Sequence, residues 1–198
     1  VLTMDLRQSY QDHSTATPLF GTAPNSVVQT VRKLNAAKSD KNVKGLFIRA
    51  RAYGMTPASA EELRLAIKDF KSSGKFVVTH SQGFEGTTFT NYMAVSASDE
   101  IWQQGTTGFV VAGIRSESEF LGGVFEKIGA EPQIEQFHEY KSAANSYKET
   151  GYTDAHREST TSLLQSIYDS GLSHISEDRE LSVDAIKAAF LDAPHSAE

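Results

Sequence analysis

The stretch GLFIRARA, residues 45–52, decides the fold that this sequence predicts. Its opening is almost continuously apolar, which is typical of a strand in a parallel sheet that is covered on both faces. VLTMDL, residues 1–6, alternates and carries β-branched side chains, so it is interpreted as the first strand. KFVVTHS, residues 75–81, is interpreted as the next strand after GLFIRARA. The sequence therefore predicts a sheet that contains these three segments.

A helical pattern lies between the first two strands. A turn is expected around Pro18 and GTAPN, residues 21–25, and Asn25 has the chemistry of a helix cap. The apolar residues that follow share one helical face and are Val27, Val28, Val31 and Leu34.

A second helix is predicted after residue 55. Thr56 and Pro57 suit an N-cap and a first helical position, and Gly74 marks the end. The predicted core-facing stripe of this helix comprises Leu63, Ala66, Ile67 and Phe70.

Further elements follow along the chain. NYMAVSASDEIW, residues 91–102, predicts a short helix and then a strand. A helix is expected to end at Gly129, and EPQIEQF, residues 131–137, is expected to form another strand. Apolar residues repeat at helical spacing from Asp154 onward, and SVDAIKAAFLD, residues 182–192, adds a last helix.

Strands that alternate with helices predict an α/β fold with right-handed crossovers. At 198 residues the chain is long enough for one core, so we expect a single domain over residues 1–198. Functional sites in such sheets form outside the carboxyl ends of the strands.

Composition excludes several classes of function. A net charge of -6 and a pI near 5.5 oppose nucleic-acid binding, which needs clustered basic residues. The sequence contains no cysteine, which excludes disulfides and a cysteine nucleophile. No apolar run is long enough to cross a membrane, and the first residues lack the pattern of a signal peptide. The sequence begins on an apparent strand without an initiator methionine, so we expect the chain to be part of a longer protein.

Motifs for metals and cofactors are also absent from the sequence. The six histidines show no ligand spacing, so no metal site is expected. FHEY around His138 is interpreted as a surface turn. The sequence has neither GxxxxGK[ST] nor GxGxxG, which opposes a nucleotide cradle, and no GxSxG elbow, which opposes an α/β-hydrolase triad. No cofactor is predicted.

Lys141, in EYKSAANSYKETG (residues 139–151), has two interpretations. A lysine in a polar stretch is most often a solvated surface charge. A lysine acts as a base at neutral pH only when its pKa falls from about 10.4 to about 7 or 8, which burial against apolar groups achieves. Ser142 is unsuited to be its nucleophile because adjacent side chains point in different directions. A partner hydroxyl must therefore come from elsewhere.

Four stretches, in order, resemble one family: KNVKGLFIRARAYG, ELRLAIKDFKSSGKFVV, NYMAVSASDEIW and FLGGVFEKIGAEPQIEQFHEYKSAANSY. The sequence is similar over essentially its whole length to the signal peptide peptidase A family, also called protease IV. The resemblance implies a ClpP/crotonase-like fold, with a parallel β-sheet and flanking helices, and a Ser-Lys dyad protease. YKSA is the most specific segment, and it places the family's catalytic lysine at Lys141.

The departures from the family pattern concern the nucleophile. Family members carry Ser-Gly-Gly-Tyr before the helix at NYMAVSASDEIW, and alignment on Tyr92 puts Phe89, or its neighbours Thr88 and Thr90, where that serine would lie. The glycine-rich turn that helps to form the oxyanion hole corresponds here to AYGM with Gly54. The chain therefore has the predicted base without the predicted nucleophile.

This combination resembles the N-terminal half of the long, tandem form of the family. The resemblance implies that Lys141 deprotonates a serine of the C-terminal half, and that the isolated chain is inactive. It also implies an inner-membrane anchor upstream of Val1, a periplasmic location and a homo-oligomer. The implied substrates are signal peptides already released from preproteins, or other apolar peptides, bound in extended form.

Two alternatives stay open. A crotonase-like acyl-CoA enzyme would share the fold, although AYGM and YKSA both oppose it. A non-catalytic scaffold or peptide-binding domain would use Lys141 only to pair with a carboxylate.

Overall fold

The computed structural model describes residues 1–8, 10–12, 25–50 and 54–196. The predicted turn around Pro18 lies outside the described residues, as do residues 51–53 of the oxyanion turn. The chain divides into two compact units, which we call the sheet unit (Val1–Gly113 with Ser170–Glu198) and the lysine unit (Ile114–Asp169). The single domain over residues 1–198 stays a prediction.

The sheet unit contains the strands and most of the helices. Its strands are β1 (Leu2–Asp5), β2 (Tyr10–Gln11), β3 (Asn25–Ser26), β4 (Gly45–Ala50), β5 (Phe76–Ser81), β6 (Phe84–Thr88), β7 (Glu100–Gln103) and β8 (Phe109–Ala112). Its first helices are α1 (Val27–Ser39), α2 (Pro57–Lys71) and α3 (Phe89–Val95).

The lysine unit is helical. It contains α4 (Gly122–Ile128), a 3₁₀ helix (Ser142–Ala144) and α5 (Asn145–Lys148). The long helix α6 (Asp154–Arg179) begins in the lysine unit and ends in the sheet unit, where α7 (Val183–Leu191) follows.

The predicted parallel sheet is confirmed. Four strands pair in the order β1-β4-β5-β7, and every pair is parallel. Two smaller parallel pairs, β2 with β3 and β6 with β8, were not predicted; their strands are two to five residues long. The sheet and its helices confirm an α/β fold that is consistent with the ClpP/crotonase-like architecture.

One face of the four-stranded sheet carries the core. Met4, Leu46, Ile48 and Val77 are buried on this face and pack against α1 and α2. The helical residues of this core include Leu34, Leu63, Ile67 and Phe70. Full burial of each large apolar side chain contributes about 1.5–3 kcal/mol to folding, so this layer dominates the stability of the sheet unit.

The second face of the four-stranded sheet is less buried than the first among the described residues. On the second face, Arg49 of β4 is exposed, His80 of β5 is half-buried, and Trp102 of β7 is 59% exposed. These three residues are aligned side by side in the register of the sheet. On the first face, Leu46, Ile48 and Ala50 of β4 are buried.

Helix starts follow local chemistry closely. The Thr56 hydroxyl accepts a hydrogen bond from the Ser59 N–H, and Pro57 is the first residue of α2, as predicted. The predicted cap of α1 is wrong by one residue, because the Ser26 hydroxyl, and not Asn25, accepts from the Gln29 N–H. The predicted end of α2 is also slightly late, since the helix ends at Lys71 and a turn leads to Gly74.

EPQIEQF does not form the predicted strand. Residues 131–137 have no regular structure, and Ile134 and Phe137 are exposed. Apolar alternation produces a strand only where a neighbouring strand offers hydrogen bonds, and none pairs with this segment among the described residues. The preceding helix, α4, does end at Gly129, whose φ of 68° is the left-handed conformation that glycine adopts readily.

A buried ion pair joins α2 to α6 within the sheet unit. The Arg64 Nε donates to Asp178 Oδ2 at 2.5 Å and its Nη2 donates to Asp178 Oδ1 at 2.7 Å. The same Nη2 donates to Glu177 Oε2 at 2.9 Å, and the Ser96 hydroxyl donates to Asp178 at 2.6 Å. Only 2% of the Arg64 side chain and 1% of the Asp178 side chain are exposed. Both charges are therefore compensated by direct contacts.

Within the described residues, no helix combines the length and the hydropathy that a bilayer crossing requires.

Candidate active site

Lys141 lies in the lysine unit, at the N-terminal end of the 3₁₀ helix. The turn before it is the surface turn predicted at FHEY: the Lys141 N–H donates to the His138 carbonyl at 3.2 Å, and His138 has a φ of 66°. The side chain of Lys141 is exposed, and its ammonium forms no hydrogen bond or ion pair with the described residues. The carboxylate partner that the scaffold alternative expects is therefore not found there. The role of Lys141 as a base stays a prediction.

Several contacts hold the backbone around Lys141. The Tyr140 hydroxyl donates to Glu158 Oε2 of α6 at 2.8 Å, and this hydrogen bond raises the pKa of the Tyr140 phenol. Asn145 is buried, and its Nδ2 donates to Thr153 Oγ1 at 3.3 Å. An exposed lysine thus extends from a segment whose own backbone is well anchored.

The position predicted for the nucleophile lies in the sheet unit and is filled by Phe89. Phe89 is the first residue of α3 and is 1% exposed. Its ring meets the Phe190 ring of α7 edge to face, with 6.2 Å between centroids. The ring also packs on α6, where Gly171 leaves room for it. A buried benzyl group, which has no nucleophilic atom, therefore occupies this position.

The two threonines beside Phe89 are engaged in structural hydrogen bonds. The Thr88 hydroxyl caps α3 by accepting from the Asn91 N–H at 3.4 Å. Thr90 is 8% exposed, and its hydroxyl donates to the Met55 carbonyl at 2.8 Å. Among the described residues, neither hydroxyl has a histidine or lysine as a hydrogen-bond partner, so neither has a base to activate it there.

Gly54 is exposed and directly precedes Met55 in the turn after β4. An added Cβ at Gly54 would meet no atom within 4 Å. The hydrogen bond from Thr90 to Met55 ties this turn to the start of α3. The sheet unit therefore brings the predicted oxyanion turn and the predicted nucleophile position together, whereas Lys141 belongs to the lysine unit.

Gly171→Ala is expected to lower the free energy of unfolding by about 1–3 kcal/mol, because overpacking strains a well-packed core. An alanine Cβ would lie 2.7 Å from Phe89 Cζ and 3.0 Å from Met93 Sδ. Alanine favours a helix over glycine by about 1 kcal/mol, so without this contact the change would stabilise the chain. Urea denaturation of this chain measures the difference.

The matched controls for Gly171→Ala separate crowding from helix propensity. In a Phe89→Leu background most of the penalty is expected to disappear, because the crowding ring is gone. Gly123→Ala in α4 meets its nearest neighbour, Thr150 Cγ2, at 3.7 Å and is expected to be neutral or stabilising. Equal or higher stability of Gly171→Ala would show that Phe89 does not pack there.

Metal ligation finds no support in the geometry. Among the described residues, no group of three or more histidine, aspartate or glutamate side chains is arranged to hold a metal ion. His156 instead joins the rings of Phe120 and Tyr152, at centroid distances of 5.9 and 4.8 Å. His195 pairs its backbone with Phe109 of β8.

The sequence did not predict the packing contacts around Phe89 or around the segment that carries Lys141. The contact of Gly171 with Phe89, and the close approach of Gly122 to Glu149, join residues that are distant in sequence. Only Arg64 had a local signal, since it lies four residues after Ala60 on the buried face of α2. A charged residue on such a face indicates a buried partner.

The sequence matches one protein family and one curated relative. The sequence model of peptidase family S49 matches residues 69–195, which include both Phe89 and Lys141. The serine protease SPPA, chloroplastic, of Arabidopsis thaliana is 29% identical to this chain over 177 residues. The match covers 89% of this chain but 25% of the relative, so the chain spans about a quarter of that relative's length. Taken with the parallel sheet and the YKSA segment, the match over residues 69–195 shows that this chain belongs to peptidase family S49.

Proposed function

We propose that this chain is the base-supplying domain of a Ser-Lys serine endopeptidase that degrades signal peptides after their release. One combination of residues carries the proposal. Lys141 is exposed and has no partner among the described residues, whereas the position of the family's serine is filled by buried Phe89. Membership in a peptidase family supports the reaction class. The nucleophilic serine belongs to another half of the longer protein.

The chemistry follows the general scheme for an activated serine. Lys141 takes the proton of the serine hydroxyl as the serine oxygen attacks the scissile carbonyl. Backbone N–H groups stabilise the oxyanion of the tetrahedral intermediate. The lysine then gives the proton to the leaving amine. The same lysine takes a proton from a water molecule as that water attacks the acyl-enzyme, and returns it to the serine oxygen when the ester bond breaks.

Exposed apolar residues support a protein partner for the lysine unit. Large apolar side chains at least 38% exposed in this unit are Leu121, Val124, Ile128, Ile134, Phe137, Tyr140, Tyr147 and Leu163. Exposed apolar side chains of this kind are covered when a protein partner packs on them. We assign its partners as the serine-bearing half and further copies of the protein in a homo-oligomer. Contact with them would exclude water around Lys141.

The proposal extends to location. It places the longer protein on the periplasmic side of the inner membrane, with the anchor in a segment outside this chain, on the strength of the family resemblance alone. The name of the similar Arabidopsis protein places that protein in the chloroplast. Membrane fractionation of the longer protein, followed by protease treatment from the periplasmic side, tests the assignment.

The test of function compares this chain with the longer protein on an apolar, signal-peptide-like substrate. We expect the longer protein to cleave it and this chain alone to be inactive, since it lacks a serine at the position of Phe89. Cleavage by this chain alone would require a local hydroxyl, such as that of Thr88 or Ser142, and would overturn the split site. Acyl-CoA binding, which the crotonase-like alternative requires, is measured in parallel and is expected to be absent.

A further inference from the structure

The segment that carries Lys141 is docked on the start of α4. The Leu121 N–H donates to the Ser146 carbonyl at 2.7 Å, and the Gly122 N–H donates to the Glu149 carbonyl at 3.0 Å. The first N–H groups of a helix have no partner within it, and Leu121 provides no side-chain cap. The end of α5 therefore supplies the acceptors that the start of α4 lacks.

This docking requires a glycine at position 122. A Cβ there would lie 2.5 Å from the Glu149 oxygen and 2.8 Å from the Lys148 oxygen. Both are backbone atoms, so no side-chain rotation relieves the overlap and the segment itself would have to move. The neighbouring Gly123 has no such contact, since its Cβ would lie 3.7 Å from Thr150 Cγ2.

A shift at Glu149 reaches Lys141 through continuous helical backbone. The 3₁₀ helix Ser142–Ala144 leads directly into α5, Asn145–Lys148, without a connecting loop. Lys141 precedes this segment at one end, and Gly122 contacts the other end. The Tyr140 hydroxyl fixes the lysine end to Glu158.

We propose that Gly122 is a positioning residue for Lys141, acting together with the Tyr140–Glu158 hydrogen bond. The close approach at Gly122 sets the place of the helical segment, and the hydrogen bond sets the place of the turn that carries the lysine. The proposal rests on the proposed function, because positioning matters only if Lys141 is the base.

The experiment measures kcat, KM and the pH dependence of kcat for the longer protein with Gly122→Ala, and with Gly123→Ala as the matched control. A displacement near 1 Å costs a catalytic group up to about 100-fold, so Gly122→Ala is expected to lower kcat about 10- to 100-fold with KM within about twofold. The acid limb of the pH profile, which reports the base, moves to higher pH. Gly123→Ala keeps the wild-type values of all three.

Further variants make each outcome decisive. Tyr140→Phe is expected to lower kcat about 3- to 10-fold, the worth of one hydrogen bond. Its control, Tyr152→Phe, removes a hydroxyl whose partner, Ser118 Oγ, lies outside the segment that carries Lys141, and it leaves kcat unchanged. If Gly122→Ala does not fold, the Tyr140 pair decides the proposal. With Lys141→Ala inactive, equal kcat values and pH profiles for Gly122→Ala and Gly123→Ala overturn the proposal. If Gly122→Ala does not fold, equal values for the two tyrosine variants overturn it. Activity of Lys141→Ala itself overturns the proposed function.

Discussion

Lys141→Ala is expected to lower kcat of the longer protein about 1,000-fold on a signal-peptide-like substrate, with little change in KM. General-base catalysis by a positioned side chain contributes about 10²- to 10⁴-fold, and no other base lies beside the serine in the proposed scheme. Stopped or continuous peptide cleavage assays at pH 7–9 measure the loss. The expected loss in kcat alone reflects an interaction that is made in the transition state.

Two matched variants separate a base from a mere positive charge. Lys141→Arg keeps the charge but does not deprotonate in proteins, so it is expected to be as inactive as Lys141→Ala. Lys148→Ala removes another exposed lysine of the same segment and is expected to retain full activity. Full activity in Lys141→Arg would show that a positive charge suffices, and the proposed mechanism would be abandoned.

The second large effect concerns stability. Arg64→Ala is expected to lower the free energy of unfolding of this chain by about 3–5 kcal/mol, because the buried Asp178 carboxylate keeps only the half-exposed Lys68 ammonium, 3.8 Å away, as a counter-charge. That loss is a large fraction of the roughly 5–15 kcal/mol that stabilises a typical domain. Urea denaturation, followed by circular dichroism, measures the change.

The control for Arg64→Ala lies on the same helix. Lys68 pairs with Glu177 at 2.5 Å and lies 3.8 Å from Asp178, but the Lys68 and Glu177 side chains are 43% and 59% exposed. Exposed pairs contribute about 0–1 kcal/mol, so Lys68→Ala is expected to have a small effect. The double change Arg64→Met with Asp178→Leu is expected to recover most of the lost stability, since no buried charge is left. Similar losses for Arg64→Ala and Lys68→Ala would contradict the role of burial.

The sequence predicted those parts of the fold that depend on local chemistry. Thr56 and Pro57 start α2 as expected, because a cap needs only residues within one helical turn. The failures needed information from distant residues: EPQIEQF has an alternating pattern, yet a strand also needs a neighbour to pair with. The site followed the same division. The family motif predicts Lys141 as the base and a missing serine at Phe89, and both roles stay predictions, whereas the contacts of Gly122 and Gly171 depend on tertiary packing.

The exposed side chain of Trp102 gives a fluorescence signal for the second face of the sheet, the face that carries Arg49 and His80. Trp102 is the sole tryptophan of the sequence, and it lies on that face with its Nε1 donating to Glu100 Oε2 at 2.7 Å. An indole in water emits at longer wavelength than an indole in an apolar contact, and it is accessible to soluble quenchers such as iodide. Emission from the isolated chain therefore sets the uncovered baseline. In a longer protein whose other tryptophans are replaced, a blue shift of the Trp102 emission with loss of iodide quenching would show that a partner has covered this face of the sheet.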